Sequence, residues 1–339
     1  MTNEKILYVA HTPFEAARRV DILESSNPSS RLHGHSFTAK IRAELAHDSI
    51  GKNDPLEYLV DLAKSIVRPL DYDLLNNHIE IPTDENIARH IHKQLAIKSI
   101  NSVGIQSTQN QGADIDKDDN AHIWRKFRFE AAHQLPNVEP GHPCGRMHGH
   151  GFEVILHVKQ NITDLNLGIE FEELQRAWSP LHDQLHCSCL NHSAGLENPT
   201  SEMLAKWIWE RLKSKLPTLS CISVFETITA GCHYDGQNYR IWKEQRFESA
   251  IATGLNSKSD NTTPLLLGHS YLMRLHLTSP LDEIMGWTID YGDVKSAFKP
   301  TYERMDHHSL HDIPSIEGTD VASILRWIKH QAEDTLPQL

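Results

Sequence analysis

Apolar and polar residues alternate along several short stretches of the chain, a period typical of half-buried β-strands. In HGHGFEVILHV, residues 148–158, His148 and His150 share one parity with the apolar Phe152. The two imidazoles therefore project from the same face of a pleated strand, from which both could reach one metal ion. The run FRFEAAH before it predicts a partner strand that delivers His133 to the same place.

Other stretches carry apolar residues at helical spacing instead. EELQRAWSPLHDQL and SEMLAKWIWERLK each predict a helix, and Thr200 and Ser201 supply a capping signal at the start of the second. We expect Trp207, Ile208 and Leu212 of that helix to be core residues. Two strand-like runs, CISVFETITAG and QNYRIWKEQRF, follow it.

The same order of elements occurs three times. FEAA at Phe14 returns at Phe129 and, as FESA, at Phe247, and LHGHSF, MHGHGF and LLGHSY follow the three copies at nearly matching offsets. We therefore predict three repeats, at residues 1–120, 121–243 and 244–339. Each is expected to form strand, strand, helix, helix, strand, strand, except that the third ends after the helix VASILRWIKHQ and lacks its last two strands.

Composition narrows the class of protein. A hydrophobic fraction of 39% and a charged fraction of 23% are typical of globular proteins, and 339 residues suffice for two or three domains. The net charge of −12 argues against nucleic acid as a partner. No run approaches the roughly 20 apolar residues of a membrane span, and no signal peptide is evident, so we expect a cytoplasmic protein. The five cysteines do not indicate a disulfide framework.

The most informative stretch for chemistry is FEAAHQLPNVEPGHPCGRMHGHGFEVIL. Its Pro- and Gly-rich middle predicts a loop, and this loop places Cys144 four residues before His148. An HxH pair alone is a weak signal in a chain with 23 histidines. Three imidazoles, from His133, His148 and His150, would leave a zinc ion one open position, as catalytic zinc sites do. Cys144 would then be a candidate base beside the metal.

These residues carry a family resemblance. FEAAHQLP…CGRMHGHGFEV, LENPTSEMLAKWIWERL and VFETITAGCHY resemble the 6-pyruvoyl-tetrahydropterin synthase family. The spacing CxxxHGH is similar to that of its 6-carboxytetrahydropterin synthase branch, which makes a queuosine precursor. The resemblance implies the T-fold, an α+β unit in which two helices cover a four-stranded antiparallel sheet. It also implies a Zn²⁺ cofactor and a pterin triphosphate substrate, dihydroneopterin triphosphate, converted with loss of acetaldehyde and triphosphate.

The resemblance assigns roles residue by residue. It implies zinc ligation by His133, His148 and His150, a general base at Cys144, and pterin recognition by Glu226. An Asp-His pair, thought to come from a neighbouring subunit in the family's oligomers, matches Asp306 and His307 in the third repeat.

The first repeat departs from the motif. It keeps His33 and His35, but Arg18 stands in the place of His133, Ser29 replaces Cys144, and we align Gln106 with the pterin-binding glutamate. A cation at a ligand position disfavours zinc, so we expect this repeat to be structural. The polar segment GADIDKDDN after it predicts a linker or hairpin tip.

The third repeat has lost different residues. Ile251 and Leu267 occupy ligand positions and Thr263 replaces the cysteine, yet Asp306 and His307 are retained. Because the second repeat has the zinc residues and the third has the pair, we hypothesise one composite site between repeats two and three, within one chain or between chains. The missing strands would leave an exposed sheet edge, so we expect a homo-oligomer.

Several alternatives remain open at this stage. The chain could be a 6-pyruvoyl-tetrahydropterin synthase, which keeps the substrate side chain, or a non-catalytic pterin-binding or assembly subunit. Cys187 and Cys189 lie near His186 and His192 and could suggest a second metal site, although we favour simple burial of the two thiols.

Overall fold

A computed structural model describes residues 5–45, 54–97, 99–160, 168–253, 265–316, 318 and 320–339. It contains α-helices and antiparallel strands in the predicted order. In the first repeat the elements are β1 (Tyr8–Arg18), β2 (His33–Ala43), α1 (Pro55–Val67), β3 (Asp73–Leu74), α2 (Asp84–Gln94), β4 (Ile100–Thr108) and β5 (Gln111–Asp116).

The second repeat has the same succession. Its elements are β6 (Ala121–His133), β7 (His148–Gln160), α3 (Phe171–Leu185), β8 (Ser188–Cys189), α4 (Ser201–Leu212), β9 (Leu219–Thr227) and β10 (Ala230–Tyr234). The third set is β11 (Tyr239–Thr253), β12 (Leu265–Thr278), α5 (Tyr291–Met305), β13 (His308–Ser309) and α6 (Val321–Glu333). Leaving aside the two-residue strands, the described residues form four, four and two strands, as the repeat pattern predicts.

The chain divides into two compact units. Unit 1 comprises Met1–Phe127, Ile155–Pro180 and Leu212–Ser220, and unit 2 comprises Arg128–Val154, Leu181–Arg211 and Cys221–Leu339. In unit 1 the hydrogen-bonded strand order is β6-β5-β4-β2-β1-β3. In unit 2 it is β12-β11-β10-β9-β7-β6, with β13 on β11 and β8 on β6.

A stacked pair of aromatic rings joins the first two strands of each repeat. Phe14 stacks on Phe37, and Phe129 stacks on Phe152, with ring centroids 5.1 Å apart in both cases. In the third repeat Phe247 stacks on a tyrosine at 4.9 Å. These side chains alternate in direction with exposed neighbours along their strands, as a sheet covered on one face requires. The predicted core positions Trp207, Ile208 and Leu212 of α4 are all buried.

A left-handed residue recurs after the first helix of each repeat. Tyr72, Cys187 and His307 have φ angles of 55°, 55° and 58°. Each backbone N–H donates to the carbonyl oxygen of the FEAA or FESA glutamate of its own repeat, at 2.6, 2.7 and 2.6 Å. Non-glycine residues rarely adopt this conformation, so its threefold recurrence shows that the three positions are structurally equivalent.

One sequence expectation needs correction. Most of GADIDKDDN is not a linker, because Gln111–Asp116 forms strand β5, paired with both β4 and β6. Only the following residues form the hairpin tip, where Asp119 has a φ of 64°. No helix in the described residues has the length and apolar character needed to cross a membrane.

Candidate active site

Three imidazoles and one carboxylate converge in unit 2. His133 at the end of β6, His148 and His150 at the start of β7, and Glu226 near the end of β9 have ligand atoms that all lie within 4.8 Å of one another. The histidine ring centroids are 4.5 to 5.1 Å apart. The parity argument therefore predicted the convergence of the three histidines correctly.

Backbone carbonyls fix the direction in which the rings point. Nδ1 of His133 donates to the Pro199 carbonyl oxygen at 3.0 Å, and Nδ1 of His148 donates to that of Arg146 at 2.7 Å. With Nδ1 protonated, Nε2 of each ring keeps a free lone pair. Outer carbonyls that hold a ring nitrogen in this way are typical of metal-binding histidines.

The chemistry of the donor set fits a metal ion. Nε2 of His133 and Nε2 of His150 are buried and have no hydrogen-bond partner among the described residues. Burial lowers the pKa of both imidazoles, although the Glu226 carboxylate acts in the opposite direction. Neutral imidazoles with unused buried lone pairs are the form that binds a metal, and a buried polar atom without a partner is otherwise unfavourable.

Glu226 lies against the histidines. Its Oε1 is 3.8 Å from Nε2 of His133 and 3.5 Å from Nε2 of His150, while its Oε2 accepts a 2.6 Å hydrogen bond from the Ser201 hydroxyl. Ser201 is the first residue of α4. The carboxylate is thus held in one orientation next to His133 and His150, where it could contact either a metal ion or a bound organic ligand.

Cys144 is in a short 3-10 turn, Pro143–Gly145, beside the cluster. Its backbone N–H donates to Nδ1 of His142 at 3.2 Å. Burial raises the pKa of the Cys144 thiol, and the Glu226 and Asp290 carboxylates raise it further, because all three disfavour a thiolate. A metal cation held by the histidines would act in the opposite direction.

A segment of the third repeat packs on the same part of unit 2. The carbonyl oxygen of Ile284 accepts a hydrogen bond from Asn137 at 2.5 Å, and that of Met285 accepts one from Asn198 at 2.6 Å. Thr288 donates its N–H, at 2.8 Å, to the buried Glu202 carboxylate. The third repeat therefore contributes to the surroundings of the cluster.

Two further acidic residues lie in this region, Asp290 within electrostatic reach of Cys144 and Glu202 within that of Glu226. The Asp290 carboxylate, which caps α5, lies 3.7 Å from Nε2 of His142. Burial raises the pKa of Glu202 to about 7. The motif search did not single out Ser201, Glu202, His142 or Asp290 for chemistry. The available signal was their position, because NPTSE and GHPCG lie within the stretches quoted above for their motifs and GWTID opens the helical half of the third repeat.

Asp306 and His307 lie at the C-terminal end of α5. The carboxylate of Asp306 accepts the Glu248 N–H at 2.9 Å and lies 3.0 Å from Nδ1 of His307. The His307 side chain is 77% exposed. The aspartate is therefore placed to orient the imidazole. No hydrogen bond or ion pair of the described residues joins this pair to the histidine cluster.

Unit 1 contains the counterpart of this site, without its chemistry. Arg18 occupies the position of His133 and donates to the Pro82 carbonyl oxygen at 3.0 Å, as His133 does to that of Pro199. It also forms a 2.6 Å ion pair with the buried Asp84 and lies 3.3 Å from His35. Burial and the Arg18 charge lower the pKa of His35 to about 4.

The aligned position of Gln106 was wrong by one residue. Gln106 pairs with Gly112 as Phe225 pairs with Gly231, so the counterpart of Glu226 is the next residue, Ser107. The Ser107 hydroxyl donates to Asp84 at 2.6 Å. In unit 2 the helix residue Ser201 donates to the strand residue Glu226. In unit 1 the strand residue Ser107 donates to the helix residue Asp84, so the hydroxyl and the carboxylate have exchanged elements.

The space left at this position of unit 1 is small. A cavity of about 40 Å³ is bordered by Arg18, Asp84 and Glu170. This volume holds about one water molecule and excludes a bicyclic ligand.

Cys187 and Cys189, considered above for a second metal site, lie outside the histidine cluster. Cys187 is exposed and Cys189 half-buried, so simple burial was wrong for Cys187, and neither thiol belongs to the metal-binding group of the described residues. All five cysteines are free. Thr263, aligned with Cys144 in the third repeat, lies outside the described residues.

Comparison with curated proteins identifies relatives that each match about one third of the chain. A 6-carboxy-5,6,7,8-tetrahydropterin synthase of Synechocystis sp. is 38% identical over 119 residues, which is 33% of this chain and 91% of the relative. One from Bacillus subtilis is 28% identical over 123 residues, 32% of this chain and 82% of the relative. A putative enzyme of the same name from Archaeoglobus fulgidus is 31% identical over 114 residues, 33% and 93% of the two chains.

Solved structures that match parts of the chain include the 6-pyruvoyl tetrahydropterin synthase of Caenorhabditis elegans. It is 20% identical, with a TM-score of 0.32 over 34% of this chain and 95% of that one. A uricase from Bacillus fastidious is 9% identical, with a TM-score of 0.36 over 81% and 94%. The family model described as 6-pyruvoyl tetrahydropterin synthase matches three successive segments, residues 8–118, 122–237 and 240–339. The chain therefore belongs to the 6-pyruvoyl tetrahydropterin synthase family, whose domain it carries three times in tandem.

Proposed function

We propose that the chain is a zinc-dependent 6-carboxy-5,6,7,8-tetrahydropterin synthase, a carbon–carbon lyase of queuosine biosynthesis. It would convert 7,8-dihydroneopterin triphosphate and one water molecule into 6-carboxytetrahydropterin, acetaldehyde and triphosphate. The observation that carries the proposal is the cluster in unit 2, where two buried Nε2 atoms lack partners beside Glu226 and Cys144. The names of the curated relatives supply the reaction class.

In this proposal His133, His148 and His150 hold the zinc ion. A zinc ion so bound would supply Lewis acidity toward the side-chain oxygens of the pterin substrate. Burial lowers the pKa of His133 and His150, and backbone carbonyl oxygens orient the rings of His133 and His148, so these residues are prepared to accept the ion.

The protein's own groups carry the proton transfers and the recognition. Cys144 removes a proton from a substrate side-chain carbon. Its thiol pKa, raised by burial, keeps it protonated until a cation occupies the cluster. Glu226, oriented by Ser201, accepts hydrogen bonds from the ring N–H and amino group of the pterin. His307, oriented by Asp306, is the complementary proton donor and acceptor.

We propose further that Asp306 and His307 complete the site of a second copy of the chain. The pair is exposed and has no described contact with the cluster of its own chain. Strand β12, on which Leu266, Leu267 and Leu272 are exposed, is bonded to β11 alone among the long described strands. An unpaired strand edge with exposed leucines favours association, so the functional form would be a homo-oligomer.

Complementation between inactive chains tests this arrangement. Cys144→Ala and His307→Ala chains would be co-expressed, and acetaldehyde release measured beside each variant alone. Sites shared between chains predict that the mixture regains turnover, because one mixed site has both groups intact. Active parent protein with no recovery in the mixture would place the whole site within one chain.

The nearest alternative reaction is that of a 6-pyruvoyl-tetrahydropterin synthase, whose description the family model bears. It eliminates triphosphate but keeps the substrate side chain, so it releases no acetaldehyde. Product analysis of the same reaction separates the two. We place the reaction in the cytoplasm because the working thiolate needs a reducing compartment, and all five cysteines are free.

A further inference from the structure

We propose that unit 2 also contains a binding site for a polyphosphate group, formed by the basic cavity that Lys243, Arg246, Lys295 and Lys299 line. Its identification as the triphosphate subsite of the substrate rests on the proposed function. Its preference for a polyanion rests on the cavity alone. The cavity has a volume of about 690 Å³, within the range of small-ligand pockets.

The basic cavity lies next to the metal cluster. Nζ of Lys243 donates to the Thr229 hydroxyl at 3.2 Å, and that hydroxyl is 3.5 Å from the one of Thr227, the residue after Glu226. Burial lowers the pKa of Lys243 and the Lys295 charge lowers it further, while Glu226 and Asp290 act in the opposite direction. Lys243 is thus within electrostatic reach of both the cluster and the cavity.

The positive charge of the cavity is only partly neutralised by ion pairs. The cavity is lined by four cations and two carboxylates, Glu244 and Glu303, and Arg246 of the lining lies 2.7 Å from the Glu248 carboxylate outside it. Glu244 is already paired with Arg274 at 2.7 Å, outside the lining, and Glu303 with Lys299 at 3.6 Å. Neither Lys243 nor Lys295 has an ion-pair partner in the described part of the chain.

Unit 1 provides an internal comparison. At the equivalent positions of β6 and α3 it has Arg125, Gln175 and Ser179, where unit 2 has Lys243, Lys295 and Lys299. Arg125 is also engaged, since it donates to the Phe171 carbonyl oxygen at 2.9 Å. The fold therefore does not require the lysines, and they occur in the unit that has the metal cluster.

Lysine ammonium groups in a concave site attract phosphate groups as point charges and concentrate the field within the cleft. The ammonium groups of Lys243 and Lys295, which have no ion-pair partner in the described residues, could contact two phosphates of an extended chain, with the ion-paired Lys299 and Arg246 beside them. An anion held here would keep the leaving triphosphate beside the cluster while the pterin occupies Glu226.

The test measures binding of inorganic triphosphate to the zinc-loaded full chain by calorimetry. We expect the parent to bind the anion, and Lys295→Ala/Lys299→Ala to bind it at least about tenfold more weakly. Lys64→Ala/Lys93→Ala, which removes two exposed helical lysines of unit 1, is the matched control and should bind as the parent does. Lys295→Ala/Lys299→Ala should also raise KM for the pterin triphosphate, while its zinc content stays unchanged.

Inorganic triphosphate also binds zinc, so a His148→Ala chain with depleted metal is measured in parallel. Binding that persists in His148→Ala and weakens in the lysine variant supports the proposal. Binding that is lost in His148→Ala but unchanged in the lysine variant would overturn it, as would a parent that binds no triphosphate. Triphosphate binding without acetaldehyde release would retain the polyanion site and reject the proposed reaction.

Discussion

The two compact units contain the same local architecture with opposite charge arrangements. In unit 2 a histidine donates to the Pro199 carbonyl oxygen, a helix serine holds a strand glutamate, and two imidazole nitrogens have no hydrogen-bond partner in the described part of the chain. In unit 1 an arginine donates to the Pro82 carbonyl oxygen and a strand serine donates to a helix aspartate. Unit 1 therefore has a built-in cation where unit 2 has space for an added one.

A repeat can lack the histidine cluster and keep its fold when the charge of the replacing residue is compensated. Replacing the histidine alone by arginine would leave a buried guanidinium without a counter-ion, which is unfavourable. The carboxylate of Asp84 lies 2.6 Å from Arg18 and is fully buried, so it supplies that counter-ion. The exchange of hydroxyl and carboxylate between helix and strand brings this charge to the arginine.

The largest expected effect comes from giving unit 2 the arginine of unit 1. His133→Arg should lose metal and turnover together, because a cation replaces a ligand and repels the ion. We expect metal affinity to fall by more than the roughly 100-fold that loss of an outer-shell partner costs. Metal analysis and acetaldehyde release measure the two effects, with His92→Arg on α2 as the control. A fully metallated His133→Arg chain would show that His133 is not a ligand.

Removing the cation from unit 1 should affect stability instead. Arg18→Met leaves Asp84 buried without its partner, at an expected cost of about 3–5 kcal/mol in the free energy of unfolding. Arg18→Met/Asp84→Asn should recover most of this loss. Urea unfolding of the full chain measures both. If the single variant is as stable as the parent, Asp84 is not the counter-ion that Arg18 requires.

Substitution of Glu226 separates two possible roles of its carboxylate, that of a metal ligand and that of a hydrogen-bond acceptor for the pterin. Glu226→Gln should keep its zinc but lose about 100-fold in turnover, because the amide replaces one acceptor oxygen by an NH2 donor and cannot pair side by side with the two donors of the pterin. Ser201→Ala should show a smaller loss, since it removes only the group that orients the carboxylate. Zinc content and turnover are measured on the same samples. Loss of zinc from Glu226→Gln would instead identify Glu226 as a fourth ligand.

The smallest expected effect is a pH dependence of the free energy of unfolding, caused by buried carboxyl groups of unit 1. Burial raises the pKa of Glu85, and of Glu170 near it, to about 7, above the ordinary value of 4.5. The folded state thus binds more protons than the unfolded state between these values. Unfolding free energy should fall as pH rises from about 5 to 8, by about 1–3 kcal/mol per carboxyl.

The Glu85→Gln variant tests this dependence, because it should flatten the fall while leaving the contribution of Glu202 in unit 2. Glu85 accepts a 3.0 Å hydrogen bond from Gln160, so the amide keeps a polar group in place. Unfolding is measured at pH 5 and pH 8 for parent and variant. An unchanged pH dependence in Glu85→Gln would assign the effect to other groups.

Much of this arrangement could be predicted from the sequence. Strand parity and spacing located the three histidines, and internal repetition gave the order of elements, because both depend on local periodicity. The error at Gln106 arose because the register of a strand is set by its neighbours, here through the Gly112 pairing. Ser201 and Asp290 were missed because a serine at a helix start and an aspartate cap have structural roles in most proteins.

The position of Asp306 and His307 could not be predicted for a different reason. They follow the first helix of the third repeat, where His307 has the left-handed φ that Tyr72 and Cys187 have in the other two repeats. Which cluster they serve depends on the association of separate surfaces, and no local pattern records this.

The site proposed in unit 2 would catalyse carboxytetrahydropterin formation. The most direct measurement is acetaldehyde release by the zinc-loaded chain from 7,8-dihydroneopterin triphosphate, run beside Cys144→Ala and His307→Ala. We expect turnover in the parent and its loss in both variants, with zinc retained at one ion per chain. A parent that binds zinc at this ratio and pterin, yet releases no acetaldehyde, would contradict the proposal.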